Sequence, residues 1–118
     1  MKLNFITFMV RDIEKTISFY ETFCGLKILR RFDPGMGEIA FMADSESSTA
    51  LELIQFDNTE KVSVRGMTMS FQITSSLTDL REDLLRAGYQ PSEIINFPPK
   101  PEHFTVRDPD GIPVEFSR

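Results

Sequence analysis

The pattern of apolar and polar positions predicts a β-α-β-β-β unit in the first half of the chain. Residues 3–10 form a predicted strand in which successive side chains alternate between two faces. Asp12 follows as a helix N-cap, and apolar residues then recur at helical spacing until Gly25, where the helix is predicted to end. Three further strands are predicted at residues 27–32, 38–43 and 49–56.

The same order of elements is predicted again after a polar linker at residues 57–64. A strand over 67–73 precedes a helix that is capped by Ser76 or Thr78 and ends at Gly88. Three more strands are predicted at residues 94–97, 104–107 and 114–117. The first of these ends at a run of prolines, because proline lacks the amide hydrogen that a central strand needs. The last two are joined by a tight Asp-Pro-Asp-Gly turn.

A shift of 63 residues aligns the two halves without gaps. It places Gly25 on Gly88 and Glu52 on Glu115, and several apolar residues fall in the same register. These apolar pairs are Phe8 with Phe71, Val10 with Ile73, Ile17 with Leu80 and Phe41 with Phe104. We interpret the chain as a single domain, residues 1–118, built from two repeats at 1–60 and 64–118.

Each repeat has one amphipathic helix, which must cover one face of its sheet. The predicted fold is therefore α+β: two tandem β-α-β-β-β units that form a mixed sheet, with the helices on the outer face and a cleft along the other face. We expect a pseudo-twofold axis to relate Glu52 and Glu115. The positions predicted to face the cleft are Phe5, Thr7, Met9, Glu52, Ile54, Thr68, Ser70, Gln72 and Glu115.

Charge and composition exclude several classes of partner. The net charge of −5 argues against nucleic-acid binding, and we interpret the loose cluster Lys27, Arg30 and Arg31 as a solvated strand edge. No apolar run approaches the ~20 residues of a membrane span, and Met1 leads into a strand without a signal-peptide segment. A single cysteine cannot form an internal disulfide. We expect a cytoplasmic protein without membrane or nucleic-acid partners.

Two segments resemble the opening and closing motifs of the vicinal oxygen chelate superfamily. The first is Val10–Tyr20 with the following Cys24-Gly25-Leu26, and the second is Asp108-Pro109-Asp110-Gly111 with Val114-Glu115-Phe116. This superfamily includes glyoxalase I, bleomycin-resistance proteins, fosfomycin-resistance enzymes and extradiol dioxygenases. The resemblance extends over the whole chain. It implies the fold predicted above and a homodimer, and it leaves the activity open.

The resemblance also implies where a metal ion would bind. Enzymes of the superfamily commonly hold a divalent metal with one residue from each of four strands, often a histidine and a glutamate in each half. The matching positions here are Phe5, Glu52, Thr68 and Glu115. Phe5 has no donor atom and Thr68 is a poor ligand, so no firmly bound cofactor is implied. A weak divalent-ion site through Glu52 and Glu115, completed by water or substrate oxygens, is the alternative.

Glu52 and Glu115 admit more than one role. Two carboxylates close together in a partly apolar site should raise one pKa, which suits a general base. A pair of carboxylates lined by Phe5, Met9 and Ile54 would instead suit an amphipathic cation. The third alternative is that Glu52 and Glu115 have no functional role and are exposed strand residues or are neutralised by nearby basic side chains.

Three functions follow from these alternatives. The first, which we favour, is a small-molecule binding protein similar to the bleomycin-resistance branch, with Glu52 and Glu115 as polar anchors. Its hydrogen-bonding residues would be Thr7, Thr68, Ser70 and His103, although His103 also fits an ordinary loop position. The second is a glyoxalase-like lyase or isomerase that uses Glu52 or Glu115 as base with a weakly held ion. The third is a structural or regulatory module whose cleft is filled by side chains.

Overall fold

Seven strands and two helices are divided between a first unit, Met1–Val62, and a second unit, Ser63–Arg118. The computed structural model describes all 118 residues. The first unit contains β1 (Phe5–Met9), α1 (Ile13–Cys24), β2 (Lys27–Phe32), β3 (Gly37–Ala43) and β4 (Ala50–Phe56). The second unit contains β5 (Met69–Gln72), α2 (Leu77–Arg86), β6 (His103–Arg107) and β7 (Pro113–Ser117). The α+β class is confirmed. Neither helix is long and apolar enough to cross a membrane.

The first sheet has the order β1-β4-β3-β2 and is mixed, as predicted, because β1 is parallel to β4 while the other pairs are antiparallel. One face packs against α1 through an apolar centre, and Arg31 and Glu38 form ion pairs and hydrogen bonds on the same side. Its buried residues are Phe8, Ala40, Met42, Leu51 and Leu53, and α1 contributes Ile13, Ile17 and Tyr20. Burial of each large aliphatic or aromatic side chain contributes about 1.5–3 kcal/mol. This apolar contact fixes which face of the sheet remains available for ligands.

The helix ends follow the capping residues that the sequence predicts. The Asp12 side chain accepts a hydrogen bond from the Lys15 amide, and Gly25 has a φ of 68°. Ser76, rather than Thr78, caps α2. Gly88 has a φ of 92° and lies one residue beyond the C-cap of α2. Both glycines therefore adopt the left-handed conformation in which a side chain would be strained.

The second sheet has three strands in the order β5-β7-β6, with β5 parallel and β6 antiparallel to β7. Its apolar face is built from the rings and branched side chains of β6 and β7, and α2 contributes two buried leucines. These buried residues are Phe104, Val106, Val114, Phe116, Leu77 and Leu84. The second unit thus has the same helix-on-sheet packing as the first.

The predicted strand at residues 94–97 is wrong. Only Ile95 pairs with β6, through a single bridge to His103 in which the Ile95 amide donates to the His103 carbonyl at 2.7 Å. Ser92 occupies the edge of β6 further along, since its amide donates to the Thr105 carbonyl at 2.8 Å and its hydroxyl accepts from the Thr105 amide at 3.0 Å. The prolines that follow have no amide hydrogen, so the ladder cannot continue into them.

The 63-residue register holds in the two parallel ladders. Thr7 pairs with Glu52 in the first sheet, and Ser70 pairs with Glu115 in the second. Because 7 and 70, and 52 and 115, are each 63 apart, the same strand alignment recurs in both units. The alignment of Phe8 with Phe71 is confirmed by the same ladders, in which they pair with equivalent residues of β4 and β7.

The hairpins depart from this register by one residue. Phe41 lies opposite Glu52, whereas Thr105 lies opposite Glu115, so the predicted match of Phe41 with Phe104 is wrong. The physical reason is the length of the connection: residues 42–51 lie between the paired Phe41 and Glu52, whereas residues 106–114, one fewer, lie between the paired Thr105 and Glu115. The Asp108 carboxylate holds the shorter turn by accepting the amides of Asp110 and Ile112.

Candidate functional site

Glu52 lies at the centre of the sheet face that is turned away from α1. We call this surface of the first unit the open face, and define it by Phe5, Thr7, Met9, Arg30, Phe32, Phe41, Glu52 and Ile54. Thr7 and Phe41 are the cross-strand neighbours of Glu52, and the Thr7 hydroxyl donates a hydrogen bond to its carboxylate. No basic side chain contacts Glu52. Its charge is therefore balanced only by a hydroxyl and solvent.

The surroundings of Glu52 are aromatic and aliphatic. Phe5 is 45% exposed, and its ring packs edge-on against Phe41 with 5.3 Å between centroids. Met9 and Ile54 are paired on the same face, one pair beyond Glu52 in the strand direction. The structure thus brings together all four ligand-binding residues predicted in the first half, together with Glu52.

Glu115 has a different environment in the second unit. The Ser70 hydroxyl donates to its Oε2 at 2.7 Å, and the Lys100 ammonium lies 2.8 Å from its Oε1. His103 Nε2 is 3.9 Å from the same Oε1. The Glu115 side chain is only 12% exposed. We call this surface the polar face and define it by Ser70, Gln72, Lys100, His103, Thr105 and Glu115.

These contacts lower the pKa of Glu115 below its ordinary value. The hydrogen bond from Lys100 is the largest cause, followed by the bond from Ser70, and together they outweigh the opposing effect of partial burial. The sequence predicts a raised pKa for one of the two carboxylates, and Glu115 is not that one. An ionised carboxylate held by an ammonium is a weak proton acceptor near neutral pH, which disfavours Glu115 as a general base.

His103 lies within a strand of the second unit, whereas Thr68 lies just outside one. His103 begins β6, is 7% exposed, and its Nδ1 lies 2.8 Å from the Pro101 carbonyl oxygen. It is therefore a buried strand residue next to Glu115, and the loop interpretation is wrong. Thr68 lies one residue before β5 and is exposed. It shares the second unit with Glu115 but is not held in the ladder.

The residues present do not fit the metal-ligand set that the resemblance implies. No group of three or more histidine, cysteine, aspartate or glutamate side chains converges anywhere in the structure. Phe5 offers no donor beside Glu52, and both oxygens of Glu115 already have partners in Lys100 and Ser70. Zinc and related ions need a larger set of nitrogen, sulfur or oxygen ligands for firm binding.

Lys100 is a residue of the site that the sequence did not reveal. The available signal was weak: apart from His103 it is the one basic residue between Arg86 and Arg107. Its contact with Glu115 depends on how the proline-rich segment folds back over β7, and no periodicity encodes that path. Sequence patterns therefore identified the carboxylate but not its counter-ion.

The chain matches known proteins over its full length. The model of the Glyoxalase/Bleomycin resistance protein/Dioxygenase superfamily matches residues 2–116. A lactoylglutathione lyase of Neisseria meningitidis serogroup A is 31% identical over 98% of this chain and 89% of its own. An uncharacterised Bacillus subtilis protein, YwbC, is 29% identical over 92% of this chain and 90% of its own.

Solved structures show the same fold at lower identity. The trypanothione-dependent glyoxalase I of Leishmania major aligns with a TM-score of 0.82 at 21% identity, covering 100% of this chain and 86% of that chain. TnmS3, an antibiotic binding protein from Streptomyces sp. CB03234, aligns with a TM-score of 0.75 at 22% identity, covering 99% and 94%. The repeated strand register, the two helix-covered sheets and the match over residues 2–116 agree, and the chain belongs to the glyoxalase/bleomycin resistance protein/dioxygenase superfamily.

Proposed function

We propose that this protein binds a small molecule without a tightly held catalytic metal, with Glu52 and Glu115 as its polar anchors. The observation that carries the proposal is the contrast between the two carboxylates. Glu52 lies among exposed rings with no basic partner, whereas Glu115 is neutralised by Lys100. A cationic group of a ligand would supply the missing counter-charge at Glu52.

The open face suits an amphipathic cation. Phe5 and Phe41 present ring surface on which a cation or an aromatic group gains favourable contact, and Met9 and Ile54 extend the apolar wall. The hydroxyl of Thr7 adds a hydrogen-bonding group. In the second unit, Ser70 and His103 are the proposed hydrogen-bonding residues beside Glu115, and Thr68 is a third such residue just before β5.

Thermal stabilisation by 2-phenylethylamine tests this proposal. We expect the amine to raise the melting temperature of the wild type, and its neutral isostere 2-phenylethanol to have a much smaller effect. The Glu52→Gln variant should lose the difference between the two compounds, while Glu21→Gln, an exposed residue of α1, should keep it. Equal stabilisation by amine and alcohol, or an undiminished difference in Glu52→Gln, would contradict the proposal.

A second candidate is a glyoxalase-like lyase with a weak divalent-ion site. It is favoured by one observation, the 31% identity to a lactoylglutathione lyase over 98% of the chain. Chelator-treated protein would then isomerise a hemithioacetal only after a divalent ion is added back. Loss of that activity in the Glu52→Gln/Glu115→Gln double variant would support this candidate, and activity that is independent of both carboxylates would reject it.

A further inference from the structure

Arg30 is a basic residue on the open face that has no protein acceptor. Its guanidinium carbon lies 5.2 Å from the ring centroid of Phe32 and 5.5 Å from that of Phe41. These ring contacts are its interactions in the structure, and no carboxylate or carbonyl oxygen accepts from its N–H groups. Stacking on two rings holds a guanidinium in place while its N–H edge remains free to bind a planar anion.

The neighbouring Arg31 shows that this arrangement is not a general property of β2. Arg31 points to the opposite side of the sheet, where it is bonded to Glu14 of α1 and to Glu38 of β3, the latter at 2.5 Å. Those bonds satisfy its charge and tie the helix to the sheet. The two adjacent arginines therefore have different roles. Arg31 joins α1 to the sheet, whereas the N–H groups of Arg30 make no hydrogen bond to the protein.

Arg30 belongs to one row of residues across the first sheet. The ladders align Arg30 with Phe41, Phe41 with Glu52, and Glu52 with Thr7. Because neighbouring strands lie about 4.8 Å apart, the backbones at Arg30 and Glu52 are roughly 10 Å apart. The row thus presents a cation, an aromatic ring and a carboxylate in that order.

We propose that Arg30 is the anion-binding residue of this surface, and that the ligand is a dipolar small molecule. Its carboxylate would be held by Arg30, its apolar middle would lie on Phe41, and its cationic group would meet Glu52. This inference rests on the proposed binding function and specifies its ligand class. The charge pattern is complementary to such a molecule at both ends, and the guanidinium binds a carboxylate through two parallel hydrogen bonds.

Three matched probes test the proposal by chemical-shift titration of the ¹⁵N-labelled protein. They are 4-(2-aminoethyl)benzoate with both charges, 4-ethylbenzoate with the anion alone, and 2-phenylethylamine with the cation alone. We expect the dipolar probe to bind the wild type most tightly and to shift amide signals in both β2 and β4. The Arg30→Gln variant should weaken its binding about ten-fold or more, because hydrogen bonds to a charged group are lost.

The controls separate this proposal from the one on which it rests. Lys27→Gln removes the same charge from an exposed position of the same strand and should leave all three affinities unchanged. Arg30→Gln should weaken the binding of 2-phenylethylamine by a much smaller factor than that of the dipolar probe, because only the dipolar probe carries the carboxylate that Arg30 would hold.

Three results would overturn the inference. Arg30 is not the anion site if the dipolar probe binds Arg30→Gln as tightly as it binds the wild type. The same conclusion follows if Lys27→Gln lowers the affinity for this probe as much as Arg30→Gln does. If 2-phenylethylamine binds through Glu52 but the dipolar probe binds no more tightly than this amine, the binding function stands and the dipolar ligand class is wrong. If no probe shifts any signal of the open face at millimolar concentration, both proposals fail.

Discussion

At the scale of single residues, the contact between Lys100 and Glu115 decides how the second carboxylate behaves. The ammonium lies 2.8 Å from Glu115 Oε1, and Ser70 binds the other oxygen at 2.7 Å. Lys100 is 52% exposed, so solvent screens much of the attraction, while the carboxylate is largely covered. The pair therefore sets the charge state of Glu115 more than it adds to the free energy of unfolding.

The pH dependence of the free energy of unfolding should reveal the Lys100–Glu115 ion pair when the wild type is compared with Lys100→Met. A pKa that is lower in the folded state gives stabilisation that is fully present above the unfolded-state pKa of about 4.3 and is lost as the pH falls through the folded-state value. We expect Lys100→Met to lower the free energy of unfolding by about 0.5–1 kcal/mol at neutral pH. The difference should vanish once Glu115 is protonated in both states.

Urea unfolding at several pH values, with an NMR titration of the Glu115 carboxyl carbon, measures both effects. Lys2→Met, which alters an exposed lysine near the amino terminus, is the matched control and should titrate like wild type. A Glu115 pKa that does not rise in Lys100→Met would show that the ion pair is not formed in solution.

At the scale of elements, a side chain added at Gly25 or at Gly37 would meet different obstacles: backbone strain alone at Gly25, and backbone strain with steric overlap at Gly37. Gly25 has a φ of 68°, and a Cβ added there would meet no atom within 4 Å. Gly37 has a φ of 139°, and its added Cβ would lie 2.1 Å from the Gln55 carbonyl oxygen. The first position needs only a left-handed backbone, whereas the second also needs space between β3 and β4.

Gly37→Ala should therefore destabilise the protein more than Gly25→Ala. We expect a loss of about 1 kcal/mol in the free energy of unfolding for Gly25→Ala. For Gly37→Ala we expect a loss of about 3 kcal/mol, because overpacking is added to the strained φ. Chemical denaturation of the two variants in parallel checks the order, and equal losses would contradict the close approach of β3 and β4.

The fold was predictable where short-range patterns determine it. Asp12, Gly25 and the alternation in β1 mark helix and strand limits locally. The repeat aligned Glu52 with Glu115 and Phe8 with Phe71, and the parallel ladders confirm both alignments. The strand at 94–97 and the match of Phe41 with Phe104 failed because both depend on the path of a connecting segment.

The site was predictable only in part for the same reason. Strand alternation places Phe5, Thr7 and Glu52 on one face, and the ladders agree. The partners of a side chain in a different segment are invisible to periodicity, as Lys100 beside Glu115 shows. Arg30 and Arg31 read alike in sequence, and only the structure separates the stacked arginine from the ion-paired one.

At the scale of the whole molecule, the two units share the alignment of their parallel strands but differ in the side chains around each glutamate. The open face of the first unit carries phenylalanine rings around an uncompensated Glu52, and the polar face of the second carries Ser70, Lys100 and His103 around Glu115. Two repeats that keep the register of their parallel strands but carry different neighbouring residues give each glutamate its own electrostatic environment. Because Glu52 lacks the basic partner that Glu115 has in Lys100, we propose that the ligand supplies a cation at Glu52.

We also propose that the protein is a homodimer, which the family resemblance implies. Light scattering coupled to size-exclusion chromatography should give twice the 13.6 kDa mass of one chain at micromolar concentration. A mass equal to one chain over the whole concentration range would contradict the proposal.

The central claim is binding without a tightly held metal, and calorimetric titration of chelator-treated protein with Mn²⁺, Ni²⁺ and Zn²⁺ tests it most directly. Phe5 and Thr68 stand at the two positions where the family resemblance implies imidazole ligands, and Lys100 neutralises Glu115. We therefore predict no site of micromolar or tighter affinity. The Glu52→Gln/Glu115→Gln double variant should give the same titration as the wild type. Micromolar or tighter binding that the double substitution abolishes would contradict this account and favour the metal-dependent lyase.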